Sequence, residues 1–153
     1  ICKSIKVFME YNLRCLPLLI ESLAGADWVI AEPRDRNSLK KLLRKTHLFD
    51  WMYPNILSPI QRARGRGYWV MGRKKKAIRC FERAIKSAES LGAEYDRARS
   101  MIDLAAVKQE GAEELRRESV EILKRQKSVI PYAERSLLGR SLDEQCLASP
   151  PER

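Results

Sequence analysis

The chain has 153 residues, 44 % of them apolar and 33 % charged, with a formal net charge of +10. A length near the modal domain size can bury roughly 68–70 % of the surface its unfolded form exposes, and seven Pro and seven Gly are too few for a disordered chain, so one folded domain is expected. No apolar run approaches the ~20 residues of a membrane helix; the best stretch, residues 13–24, is broken by Arg14, Pro17 and Glu21 and lacks the flanks of a secretory signal.

The predicted elements are helical throughout. Ile5, Phe8, Met9, Leu13, Leu16, Leu19, Ile20 and Leu23 keep the three-and-four spacing of a broad apolar face, which Gly25 closes in a left-handed cap, with Pro17 kinking or splitting the helix. Leu39, Leu42, Leu43 and Thr46 mark a short second helix, with Asn37 or Ser38 as its cap. Phe49, Trp51, Met52 and Tyr53 form an aromatic connector closed by Pro54 and Asn55. A third helix starts at Ser58 as N-cap with Pro59 at its first position and runs to about Met71.

After Gly72, the fourth helix carries Ala77, Phe81, Ala84, Ala88 and Leu91 as one continuous stripe. Gly92 ends it, and Tyr95, Ala98, Met101, Ile102 and Ala105 mark a fifth helix beyond a very short turn. Gly111 makes the next turn, Leu115, Val120, Ile122 and Leu123 define a sixth helix, and Pro131 opens a last short one with Ala133, Leu137 and Leu138. The tail over residues 149–153 is expected to fray. No run alternates with period two, so strand content is expected to be near zero.

The chemistry-bearing inventory is thin. Cys2, Cys15, Cys80 and Cys146 form no CxxC pair and His47 is the sole histidine, so neither a zinc site nor Cys-His catalysis is expected. The thiols read as reduced and structural, which suits a cytoplasmic chain. The stretch GRGYWVMGRKKK follows a helix and lacks the order of a phosphate-binding P-loop. Adjacent carboxylates such as Glu113 and Glu114, or Asp143 and Glu144, diverge on a helix and make no acid-base pair. No catalytic residue, metal, cofactor or small-molecule substrate is expected. The chain begins with Ile1 rather than Met, and is read as a piece of a longer polypeptide or a processed one.

The 34 residues from Ser58 to Leu91 resemble a tetratricopeptide repeat, a helix-turn-helix unit of that length. Gly65 is the small residue at the helix crossing, Tyr68 the aromatic of the first helix, Gly72 the turn glycine, and Ala77, Phe81 and Ala84 the small-aromatic-small triplet of the second. Gln61 stands where a large residue is usual, and the helix-ending proline is missing. The run Ala77, Phe81, Ala84, with Leu91–Gly92 and Tyr95–Arg99, is also similar to helical-repeat arrays near the C-termini of large bacterial signalling proteins, including regulatory ATPases of the STAND class and kinase or cyclase fusions. The resemblance implies an all-α fold of antiparallel helical hairpins stacked as a short right-handed solenoid. Residues 58–148 would form the hairpins, residues 1–57 divergent N-terminal helices packed on them, and residues 149–153 the tail. It further implies a non-catalytic scaffold or regulatory segment that binds a protein or peptide, or another domain of its own polypeptide.

Charge is the second informative feature. From Arg34 to Arg79 there are 14 Lys or Arg and two Asp, against 16 basic and 18 acidic residues in the remainder. Arg62, Arg66, Trp69, Arg73, Lys74 and Lys75 are the expected partner contacts. The competing readings are a solvated helix face that merely aids solubility and a nucleic-acid or other polyanion surface over Arg62–Arg79.

Overall fold

A computed structural model describes residues 15–25, 28–30, 32–47 and 56–126, and all of its regular elements are helices. They are α1 (15–24), α2 (Arg36–Thr46), α3 (Leu57–Val70), α4 (Lys74–Ser90), α5 (Glu94–Val107) and α6 (Ala112–Arg125). No strand occurs among the described residues. The aromatic connector at Phe49–Asn55, the helix expected after Pro131, the tail, Cys2, Cys146 and the part of the first helix before residue 15 lie outside them. At Pro17 the expected break is not seen, since α1 is continuous from 15 to 24 with the proline in the first turn of that span, where its missing N–H is not needed.

In chain order α3 packs on α4, α4 on α5 and α5 on α6, while α3 also touches α2 and α5. Short turns make this neighbour-on-neighbour packing possible. At the α3–α4 turn Gly72 takes φ +75°, a left-handed conformation that glycine adopts without a Cβ penalty. The N–H of Arg73 donates back to the Tyr68 carbonyl at 2.8 Å, closing the end of α3. Gly25, at φ +91°, ends α1 as its position predicts.

The core has two adjoining parts. One joins Ile20, Ala24 and Trp28 to Leu39 and Leu43 of α2, Ala63 and Tyr68 of α3, Ala77 and Phe81 of α4 and Leu104 of α5. The other holds Ala98, Met101 and Ile102 of α5 against Val120, Ile122 and Leu123 of α6. Ile85 and Leu115 pack against both. The expected stripe of α4 is fully buried at Ala77, Phe81, Ala84 and Ala88, whereas Leu91, at its end, is exposed.

Gly65 explains how α3 and α4 come together. A Cβ at that position would lie 2.3 Å from Cε1 of Phe81, well inside any carbon-carbon contact, so the ring of one helix seats on the bare backbone of the other. Gly67 plays a similar part toward α1 and α2, with a Cβ meeting Leu43 at 3.0 Å and Ile20 at 3.2 Å.

Three local expectations are corrected. Ser58 does not cap α3: the helix begins at Leu57, and Ser58 is buried within its first turn, from where its hydroxyl is not placed to cap. Pro59 is tolerated there because first-turn N–H groups have no intrahelical acceptor. The apolar face of α1 is also rotated from the one expected. Leu19 is exposed while Pro17, Ile20 and Ala24 are buried, an orientation that turns Glu21 inward.

The cap of α2 is Asp35, whose Oδ1 accepts from the N–H groups of Asn37 and Ser38, both at 3.0 Å, rather than Asn37 or Ser38 itself. Hydrogen bonds from Ser38 hold the Asp35 carboxyl below its ordinary value. A carboxylate depressed in the folded state stabilises above its unfolded value, about 3.9, and loses that contribution as pH falls through the folded value. We therefore expect the midpoint of urea unfolding to fall as pH drops below about 4, and Asp35→Asn, which keeps a capping oxygen, to remove part of that dependence. Identical acid profiles for the two proteins would show that the cap carries no charge-dependent stability.

Candidate functional site

The arginines of α3 are the first test of a basic contact surface, and they point inward. Arg62 and Arg66 are four residues apart and share one side of the helix. Asp103 of α5, completely buried, receives the Arg66 fork through Nε at 2.7 Å and Nη2 at 2.8 Å, and Arg62 Nε lies 3.2 Å from the same carboxylate. Glu21 of α1 accepts from Arg62 Nη2 at 2.9 Å and stands 3.6 Å from Arg66 Nη1. The guanidinium of Arg66 also lies over the Trp28 ring, 5.4 Å from its centre. Two cations and two anions thus join α1, α3 and α5 in a largely buried cluster. Burial pushes the Arg62 guanidinium below its ordinary value, with Asp103 and Glu21 acting in the opposite direction.

Arg64 is buried on another side of α3 and donates from Nε to Thr46 Oγ1 of α2 at 2.7 Å; Thr46 in turn donates to the Leu43 carbonyl at 2.9 Å. The expectation that Arg62 and Arg66 meet an external partner is accordingly corrected. They are only 3 % and 7 % exposed, because a guanidinium is stable in the interior where a carboxylate meets it.

Trp69 is corrected in the same sense. It is half-buried, and its Nε1 donates to the Val29 carbonyl at 2.8 Å, fastening the segment after α1 to α3. Lys74 lies over its ring at 5.6 Å. Tyr68 is 8 % exposed, and its hydroxyl shares a 2.8 Å hydrogen bond with Nε2 of His47, just after α2. His47, itself exposed, thus ties the end of α2 to α3 through a hydrogen bond.

What remains exposed is a second basic group around the α3–α4 turn. Arg73, Lys74, Lys75 and Lys76 are all exposed, as are Lys40, Lys41, Arg44 and Lys45 of α2. The two sets converge. Lys40, Leu43 and Arg44 from α2 face Tyr68, Met71 and Arg73 across an open cleft of about 80 Å³, and Lys76 stands over the Tyr68 ring at 5.9 Å. None of the described residues that line this cleft is acidic. The first turn of α4 contains no acid either, whereas α5 and α6 begin with Glu94 and Asp96, and with Glu113 and Glu114. Lysines at the positive end of a helix cost a few tenths of a kcal/mol each, which an anion placed there would offset.

Sequence reasoning identified Arg73, Lys74 and Lys75 but missed Lys40 and Arg44 as part of the same surface, and missed Asp103 and Glu21 altogether. A signal for Asp103 was present: it is a lone acid in the run Met101–Val107, otherwise apolar, and a carboxylate on a buried stripe requires a cation.

Among the described residues no group of His, Cys, Asp and Glu is arranged to hold a metal ion, and no helix is long and apolar enough to cross a membrane. Cys15 is half-buried and Cys80 buried, and no disulfide joins them. No protein-family model matches the chain, and no curated protein or solved structure does either.

Proposed function

We propose that the chain is a non-catalytic interaction segment of a larger signalling protein, built of stacked hairpins of tetratricopeptide type, whose exposed basic face meets an acidic protein surface or an acidic domain of the same polypeptide in the cytoplasm. The observation that carries this reading is the division of the arginines and lysines. Arg62 and Arg66 are neutralised internally by Glu21 and Asp103, while Lys40, Arg44 and Arg73 converge on one cleft without an acid among its lining residues. Charge spent inside holds helices together; charge left outside without an internal counter-ion is free to steer an acidic partner.

The close seating of Phe81 on Gly65 and the buried Ala77 and Ala84 support the repeat-type hairpin. Hairpins of this kind bury their stripe against neighbours and leave an extended surface for a partner. Interior use of Arg62, Arg64 and Arg66 and the engagement of Trp69 with Val29 weigh against the nucleic-acid reading, since they withdraw three of the eight basic side chains of Arg62–Arg79 and the tryptophan on which a base would stack.

The test is binding of a Glu/Asp-rich peptide, and of single-stranded and duplex oligonucleotides, over a salt series. We expect saturable peptide binding that is lost in the Lys74→Glu/Lys75→Glu variant with no fall in melting midpoint, since both side chains are exposed and acids suit the start of a helix. Tighter oligonucleotide binding, with log K falling by about 0.9 per neutralised phosphate per decade of salt, would replace this reading with the polyanion one.

A further inference from the structure

The cleft between α2 and the α3–α4 turn has a more specific chemistry than a general basic surface. Lys40 and Arg44 lie one helical turn apart on one face of α2, and Arg73 enters from the opposite wall, held by the backbone bond of the turn to Tyr68. Lys76 stands beside the same tyrosine. Three cations from two separate elements therefore surround one small space, and their mutual repulsion favours a dianion over a monoanion. A carboxylate offers two oxygens and one charge, whereas a phosphate monoester offers three terminal oxygens and a charge of about −1.5 to −2 near neutral pH.

We propose that Lys40, Arg44 and Arg73 form a binding site for the phosphate of a phosphorylated side chain on the acidic partner, an inference that rests on the interaction-module reading above. Arg44 and Arg73 supply planar forks suited to phosphate oxygens, and Lys40 supplies a third charge. Tyr68 and Met71 form the apolar part of the wall, against which the methylene stem of the modified residue packs.

The experiment uses the whole chain and follows amide chemical shifts at constant ionic strength. The probes are an acidic peptide carrying one phosphoserine, the same peptide with serine, inorganic phosphate, and a single-stranded oligonucleotide. We expect the phosphopeptide to bind at least tenfold more tightly than its unmodified form, with shifts centred on Lys40, Arg44 and Arg73. Arg44→Gln and Arg73→Gln should each weaken it about three- to tenfold, while Lys124→Gln, the same charge loss on α6, should leave it unchanged. Equal affinity for the two peptides overturns the phosphate site but leaves the interaction module standing if Lys74→Glu/Lys75→Glu still abolishes both; loss of all peptide binding overturns both readings. Inorganic phosphate binding as tightly as the phosphopeptide would make the site one for a free anion, and preference for the oligonucleotide would assign it to nucleic acid. Either result overturns the proposal.

Discussion

Replacing Asp103 by asparagine is expected to destabilise the protein by about 3–5 kcal/mol, the cost of leaving a buried charge without its partner. The substitution changes almost no volume. It removes the anion that receives the Arg66 fork at 2.7 and 2.8 Å and lies 3.2 Å from Arg62, and leaves Glu21 facing both guanidiniums. Because Glu21 is less buried than Asp103, it cannot replace that field at the same depth. Urea unfolding should show a lower midpoint at an unchanged slope. A complementary variant, Glu21→Gln/Arg62→Met/Arg66→Met/Asp103→Leu, removes the four charges together and should recover most of the loss, since apolar replacement of a whole buried ion cluster is often neutral or stabilising. A loss below about 1 kcal/mol for Asp103→Asn would mean that water reaches the cluster.

Phe81→Ala should cost a comparable amount, about 3–5 kcal/mol, because the ring is fully buried and its removal opens a cavity that its neighbours fill incompletely. For a chain of this length the melting midpoint should fall by roughly 2–4 °C per kcal/mol. The fit to Gly65 adds a sharper test. Gly65→Ala introduces a methyl 2.3 Å from Phe81 Cε1, so it should destabilise even though alanine favours a helix by about 1 kcal/mol over glycine. Phe81→Leu relieves the clash, and the pair Gly65→Ala/Phe81→Leu should be less harmful than the sum of the single changes, as expected for residues in direct contact. An unchanged midpoint for Phe81→Ala would remove the seating of α4 on α3.

These two sites differ in how far they could be read beforehand. Gly65 and Phe81 announced themselves because close packing restricts residue size at particular spacings, and the stripe Ala77, Phe81, Ala84, Ala88 repeats along a single helix. Turn glycines were equally visible, since Gly25, Gly72, Gly92 and Gly111 all take positive φ. The start of α3 was misread because Ser58 followed by Pro59 has the composition of a cap, yet Ser58 is drawn into the buried side of the first turn. For α2 the cap lay two or three residues earlier than expected, at Asp35, where the stronger acceptor stands.

The arginines of α3 were the larger error, and its cause is physical. Spacing at 62, 64 and 66 places Arg64 on a different side of the helix from Arg62 and Arg66, and a long cation is ordinarily exposed. Only partners remote in sequence reverse that expectation: Asp103 lies 37 residues from Arg66, and Glu21 41 residues from Arg62. Local spacing carries no information about such pairs.

The sequence by itself determined the helices from Leu57 to Arg125, their turns, and the small-against-large contact of Gly65 with Phe81, because each depends on backbone conformation and side-chain size within a short span. Tertiary structure alone decided which basic residues belong to the interior and which to the surface. Desolvating a guanidinium is tolerable only where a carboxylate from another helix meets it, and that depends on how α1 and α5 lie against α3. The same packing sets Lys40 and Arg44 opposite Arg73, making a cleft of residues from two elements that are distant in the chain.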